Sequence, residues 1–277
     1  RNMPVRSLTP ILAEKAKNEL FEDPNRLEAD LQHMKDWISK QPHLNACTDD
    51  QWLVAFLRGC KFSLERTKEK IDIYYSLRTT APELCRLKST LLLPKTAAPD
   101  APRVMIFRLG VIDPSKLPLN DYLSVIITLL DDDNAIVAGT INVMDLEGVT
   151  MGHFLQMTPS LMKKMVDAIP IRMKGSHYLN TPPGFETIFN AIKGFLIDSR
   201  TFIFQLFVHN KDMEALYKHV PREILPKEYG GDGGSTEEML GKSEYKNGTD
   251  ESKRPGNPRT AESMFGVEGS FRQLDFD

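Results

Sequence analysis

Three cysteines in 277 residues, Cys47, Cys60 and Cys85, form no CxxC pair and leave an odd one over. That pattern excludes a disulfide framework and a cysteine zinc site, and it fits a reducing cytosol. No apolar run approaches the ~20 residues that span a bilayer, and the polar stretch before Leu27 has no signal-peptide core. The chain is therefore expected to be soluble and cytoplasmic. A basic excess is missing as well: 35 Lys and Arg against 38 Asp and Glu leave a formal charge of -3, which argues against a nucleic-acid partner.

The six histidines show no HExxH-like spacing, and Asp131-Asp132-Asp133 lacks the spaced oxygen ligands and turn glycine of a calcium loop. Neither a metal nor a cofactor is expected. Asp145 and Glu147 follow a strand, where α/β enzymes often place acids, yet holding a loop is the simpler role for them. Cys60 carries no nucleophile signature. Gly230-Gly231-Asp232-Gly233-Gly234 follows Leu225-Pro226 instead of a strand, so a dinucleotide reading fails on context. The chain is read as a non-enzyme.

What is present divides by period. Leu27, Leu31, Met34 and Ile38 recur at offsets 0, 4, 7 and 11, the spacing of one helical face, and Trp37 extends it. Thr48 and Gln51 form a capping-box pattern ahead of Trp52, Leu53, Phe56 and Leu57, in a helix that ends near Gly59. Ser63 offers an N-cap for a helix over residues 64–78, which Ala81-Pro82 stops. From Arg103 the pattern changes to short apolar runs. Val104-Met105-Ile106-Phe107 and Ile141-Asn142-Val143-Met144 predict strands, His177-Tyr178-Leu179 a third, and residues 202–208 a strand covered on both sides. Helices are expected after Pro118, from Thr158-Pro159 with Leu161, Met162, Met165 and Ile169 buried, and over Met213, Leu216, Tyr217 and Val220. Such alternation predicts an α/β layer with mainly parallel pairing. The polar residues after Ser235, especially 247–259, predict a flexible connector, while Met264, Phe265, Phe271, Leu274 and Phe276 predict an end that docks on the body.

The most informative stripe follows Pro182-Pro183-Gly184. Phe185, Ile188, Phe189, Ile192, Phe195 and Leu196 stand at offsets 0, 3, 4, 7, 10 and 11 and so share one helical face that must cover something apolar.

Several segments together resemble the CRAL-TRIO lipid-binding family. They are TDDQWLVAFLRGCKFSLERTKEKI at 48–71, YYSLRTTAPEL at 74–84, DLEGV at 145–149, QMTPSLMKKM at 156–165, HYLNTPPGFETIFN at 177–190 and ILPKEYGG at 224–231. The resemblance implies a small N-terminal helical bundle over residues 3–87. It further implies an α/β sandwich at 88–234, with a mobile lid helix at 184–198 over a hydrophobic cavity, and an extension at 235–277. Phe185, Ile188, Phe189, Ile192, Phe195 and Leu196 would then face the ligand.

The function implied is binding and transfer of a small hydrophobic ligand, tocopherol-like, retinoid or carotenoid, between membranes. Phospholipid transfer and a regulatory lipid-sensing module are the alternatives. A monomer, transiently peripheral at membranes, is expected. The resemblance also marks Arg58, Lys61, Arg172 and Lys174 as candidate phosphoinositide contacts, with Tyr122, Ser124 and Thr128 as speculative cavity contacts. One departure weakens phosphoinositide control: between Leu196 and Leu206 the only basic residue is Arg200.

Overall fold

A computed structural model describes residues 5–79, 89–113, 126, 129–156, 167–185, 187, 189–190, 205–239 and 248–249. Four helices open it: α1 (Pro10–Leu20), α2 (Leu27–Ser39), α3 (Asp50–Gly59) and α4 (Leu64–Thr79). The first was not expected from the charged composition around it. Its signal is local: the Thr9 side chain accepts from the Leu12 amide, Pro10 occupies the first turn, and Leu12, Ala16 and Leu20 bury one face. The cap of α3 moves one residue from the expected Thr48. Asp49 takes that place, its carboxylate accepting from the Gln51 amide at 2.9 Å, in keeping with the stronger capping preference of Asp over Thr.

The helical face of Leu31, Met34 and Ile38 packs with Leu53, Phe56, Leu57, Ile71 and Tyr74, and the same cluster runs on into Met105, Phe107 and Leu129. The helices therefore bury their apolar face together with one face of the sheet. Gly59 lets the approach be close: a Cβ there would lie 1.8 Å from the Pro170 carbonyl oxygen.

Five strands follow, β2 (Thr90–Leu92), β3 (Arg103–Arg108), β4 (Thr140–Asp145), β5 (Met173–Leu179) and β6 (Gln205–Asn210), ordered in the sheet as in the chain. The β2 and β3 pair is antiparallel and the other three pairs are parallel. Each parallel step needs a crossover. The described residues of these crossovers include α5 (Asp133–Ala138) and α6 (Met151–Gln156), and α7 (Met213–Tyr217) follows β6. Val104, Ile106, Val143 and Leu179 face the layer made by Leu216, Val220, Ile224 and Leu225, while Met105 and Phe107 face the helices. The expected strands at Val104 and Ile141 are thus present, and the third is longer than expected.

Two expectations change. The apolar run at 202–208 predicts a strand covered on both sides, but among the described residues β6 ends the strand order, and Val208 is 45% exposed. An apolar run reports composition, not which neighbours cover it. In the expected connector, β7 (Gly248–Thr249) pairs antiparallel with β1 (Leu44–Asn45). Backbone pairing needs no apolar side chain, so composition is blind to it. Of the helix expected from Thr158-Pro159 only the end is described, with Asp167 and Ala168 helical and Ile169 buried as expected, while the stop at Ala81-Pro82 and the docked end from Met264 lie outside the described residues. Of the helix expected after Pro118, Ile126, Leu129 and Leu130 are described, all helical and buried.

One buried ion pair joins the layers. Arg58 on α3 is 2% exposed, and its Nε and one terminal nitrogen each donate to the Glu22 carboxylate at 2.8 Å, with Asp133 of α5 3.8 Å away. Truncating one partner of such a pair strands the other charge. Arg58→Ala should lower unfolding free energy by on the order of 3–5 kcal/mol in urea titrations. An unchanged midpoint would show that Glu22 finds solvent without cost.

Candidate functional site

At the carboxyl end of β5 the chain turns sharply. Asn180 takes a left-handed φ of 49° and Gly184 one of 80°, and the Phe185 amide closes a turn on the Pro182 carbonyl at 3.1 Å. Phe185, Thr187, Phe189 and Asn190 are helical, so the expected helix starts where the apolar stripe begins. Phe185 is 4% exposed and packs with Leu146, Val149 and Phe154. Its ring centroid lies 5.5 Å from Tyr178 and 5.4 Å from Phe189, and Phe189 meets Tyr178 edge-on at 5.2 Å. The root of the stripe is therefore seated on the sheet. Burial pushes the Tyr178 hydroxyl up to about 12. Ile188, Ile192, Phe195 and Leu196 lie outside the described residues, as do Tyr122, Ser124 and Thr128.

Asp145 holds this corner together. One carboxylate oxygen accepts from the Glu147 amide at 3.0 Å and the Asn180 side chain at 2.9 Å, and the other from the Tyr229 hydroxyl at 2.6 Å. Burial, and then the bond to Asp145, raise the Tyr229 hydroxyl far above its usual range. Asp145 thus fixes a loop, as its sequence context suggested. Beside it, a cavity of about 540 Å³ lies at the strand ends, lined by Arg108, Asp145, Glu147, Asn180, Lys211 and Tyr229 among others. Its wall is mixed in charge, unlike an apolar ligand chamber. In the glycine run, Gly230 has φ 69° and a Cβ on Gly231 would sit 2.1 Å from the Leu225 carbonyl oxygen, so these glycines serve a tight backbone turn.

The four candidate basic residues separate. Arg172 and Lys174 come together on one carboxylate, that of Glu19 on α1: Arg172 donates to it at 2.7 Å and also reaches the Val137 carbonyl, while the Lys174 ammonium is 3.7 Å away. Burial works to raise the Glu19 carboxyl, but the Arg172 hydrogen bond and charge, with Lys174 and Lys15, outweigh it and hold it low. Burial and the Arg172 charge lower the Lys174 ammonium in spite of Glu19. Of these two neighbours, Arg172 is the firm partner: it has the short bond and the smaller exposure. Arg58 points into the protein, as described, away from any headgroup surface. Lys61 is exposed, with its ammonium 5.8 Å from the centre of the Phe21 ring. Glu19 was not singled out from sequence, because its contact with Arg172 spans 153 positions.

On the opposite sheet face lies a histidine cluster. His177 Nδ1 is 2.8 Å from His209 Nε2, and the His177 ring stacks on Phe207 at 4.8 Å and lies 4.9 Å from His219. Among the described residues no group of His, Cys, Asp and Glu is arranged to hold a metal ion, and no helix is long and apolar enough to cross a membrane.

The site joins an apolar helix start seated on β5 to a carboxylate held by three donors. Several known proteins are similar to this chain. Residues 97–231 match the CRAL/TRIO domain, and residues 23–87 match the Pinta-like, UBA domain. Over 249 residues the chain is 33% identical to alpha-tocopherol transfer protein-like of Homo sapiens, spanning 82% of this chain and 72% of that protein. Clavesin-2 of Rattus norvegicus is 26% identical over 246 residues, 81% of this chain and 75% of that one. The crystal structure of Sfh5 aligns at a TM-score of 0.46 and 12% identity, over 82% of this chain and 91% of that one. The chain belongs to the CRAL/TRIO family, whose members typically bind hydrophobic ligands and are generally not enzymes.

Burial lowers the His177 imidazole to about 4, helped by the charges of His209 and His219, and burial also lowers His209. The unfolded chain, with an ordinary value near 6.5, then binds more protons than the folded one between those limits. Stability should be full above about pH 6.5 and fall as the pH drops toward 4, with uptake of roughly one proton on unfolding. Denaturant midpoints across this range test it. His177→Phe should flatten the dependence, and an equal slope in the variant would place its source elsewhere.

Proposed function

We propose that this protein binds a small hydrophobic molecule and carries it between membranes, with the helix at 184–198 as the lid of its cavity. The supporting observation is the seating of Phe185 and Phe189 on Tyr178 and Phe154, beside the turn at Gly184, where a Cβ would meet nothing within 4 Å. A lipid with ~20 apolar carbons gains on the order of 16 kcal/mol on leaving water, so its carrier must enclose it to compete with a bilayer. Release then requires the enclosure to open against hydrocarbon. On α6, Phe154 turns inward to Phe185, whereas Met151 and Leu155, one turn apart, are 62% and 54% exposed. This apolar rim beside the lid is the surface we assign to membrane contact.

The ligand is tocopherol-like, retinoid or carotenoid, the first supported by the name of the 33%-identical relative. The units proposed are a helical one at 3–87, the ligand-binding one at 88–234 and an extension at 235–277. The molecule acts as a monomer in the cytoplasm, peripheral at membranes only during transfer. Phosphoinositide control is weak in this reading, since Arg172 and Lys174 share an internal carboxylate and Arg58 is buried.

Lipid extraction followed by mass spectrometry of the purified chain should recover such a molecule, and a chain still empty after exposure to lipid extracts would sink the carrier reading. Phe189→Asp or Phe195→Asp should slow transfer between vesicles severalfold, and Leu155→Glu should do so with ligand binding intact. Unchanged transfer by folded variants would return the helix to a packing role.

A separate expectation concerns headgroups. Phosphatidylinositol bisphosphate in acceptor vesicles should change the wild-type rate less than about 2-fold, whereas Glu19→Gln frees Arg172 and Lys174, each worth on the order of 1 kcal/mol at an anionic surface, and should create a dependence. A strong wild-type dependence would contradict this.

A further inference from the structure

Strand alternation places Asn142 and Ser176 side by side on the sheet face that carries Met105, Phe107, Met144 and Tyr178. Asn142 pairs in register with Met105 on one side and Ser176 on the other, so the two polar side chains sit one strand spacing apart, with Met105, Met144 and Tyr178 as apolar neighbours on the same face. Both are 4% exposed. Among the described residues Asn142 Oδ1 is buried without a hydrogen-bond partner, and Ser176 Oγ donates to the weak Met173 sulfur acceptor at 3.2 Å.

The contrast with the other face gives this its meaning. There, buried polar groups find partners within the chain: Asp145 has Tyr229 and Asn180, and His177 has His209. A buried acceptor without a donor is costly, and native chains leave few of them. Tyr178 on the same face meets both Phe185 and Phe189 at the root of the lid, so this is the sheet surface that the lid helix adjoins.

We propose that Asn142, with Ser176 beside it, is the polar anchor of the ligand site and selects hydrophobic molecules that carry a hydroxyl. The inference rests on the carrier reading above. A hydroxyl donates to Asn142 Oδ1 and presents its own oxygen to the Ser176 hydroxyl, satisfying both groups at once. A hydrocarbon, an ether or an aldehyde brings no donor and leaves the amide oxygen unpaired. Among the candidate ligands this favours chromanols and retinols over carotenes and retinaldehyde. Rejection of an analogue that lacks the donor is the discrimination such a site achieves best.

The test uses the full chain, titrated by fluorescence with a tocopherol-class chromanol and its methyl ether, and with retinol and its methyl ether. Wild type should prefer at least one alcohol over its ether by roughly 5- to 10-fold, the factor one good hydrogen bond supplies. Asn142→Leu should bind the ether as wild type does and lose most of the preference, and Ser176→Ala should lose part of it. The thermal midpoint of ligand-free Asn142→Leu should be unchanged or raised, because an unpaired polar group is removed. A lowered midpoint would mean that Asn142 is bonded within the fold, and it would overturn the anchor. Equal binding of alcohol and ether by wild type overturns the anchor but leaves the carrier intact. Binding of neither class overturns both.

Discussion

The Asp145 carboxylate is the meeting point of stretches of chain far apart in sequence. It ends β4, accepts from the loop that follows, holds Asn180 where β5 turns, and receives the Tyr229 hydroxyl from 84 positions away. A buried carboxylate of this kind is tolerated because donors surround it. The consequence is geometric. The turn at Pro182 to Gly184 leaves the sheet from a fixed corner, so the apolar helix after it starts in one place whatever its outer end does. Three donors on this carboxylate tie it to the loop, the β5 turn and Tyr229, so a position that looks enzymatic has a structural role.

Charge is handled by the same rule of internal partners. Glu22 accepts two bonds from one edge of the Arg58 guanidinium, and Glu19 gathers Arg172 and Lys174. Three of the four cations that looked available for an anionic headgroup are thus engaged with carboxylates near the junction of α1 and α2. The surface beside the start of the helix at Phe185 is by contrast apolar, with Met151 and Leu155 exposed.

Much of this was legible beforehand. Helices α2, α3 and α4 announced themselves through their apolar period, and β3 and β4 through short apolar runs, because these signals live within a dozen residues. The start of the lid stripe at Phe185 was legible for the same reason. Helix α1 was obscured by its charge, although Thr9-Pro10 and the fourfold spacing of Leu12, Ala16 and Leu20 were there to be read. The exposure of β6, the pairing of Gly248 with Asn45 and the Glu19 contact left no local trace, since each depends on what lies across space.

The residues alone determined the alternating α/β class and the start of a helix at Phe185, both of which follow from periodicity and side-chain chemistry. Only the tertiary structure decided which charges are spent internally and which polar groups stay unpaired. Arg58 and Lys61 look alike in sequence, yet one is buried against Glu22 and the other is exposed beside Phe21. Asn142 reads as an ordinary strand residue until the register sets it beside Ser176, its Oδ1 unpaired among the described residues. The physical reason is that solvation and pairing are properties of a location, and a location exists only once distant segments have packed.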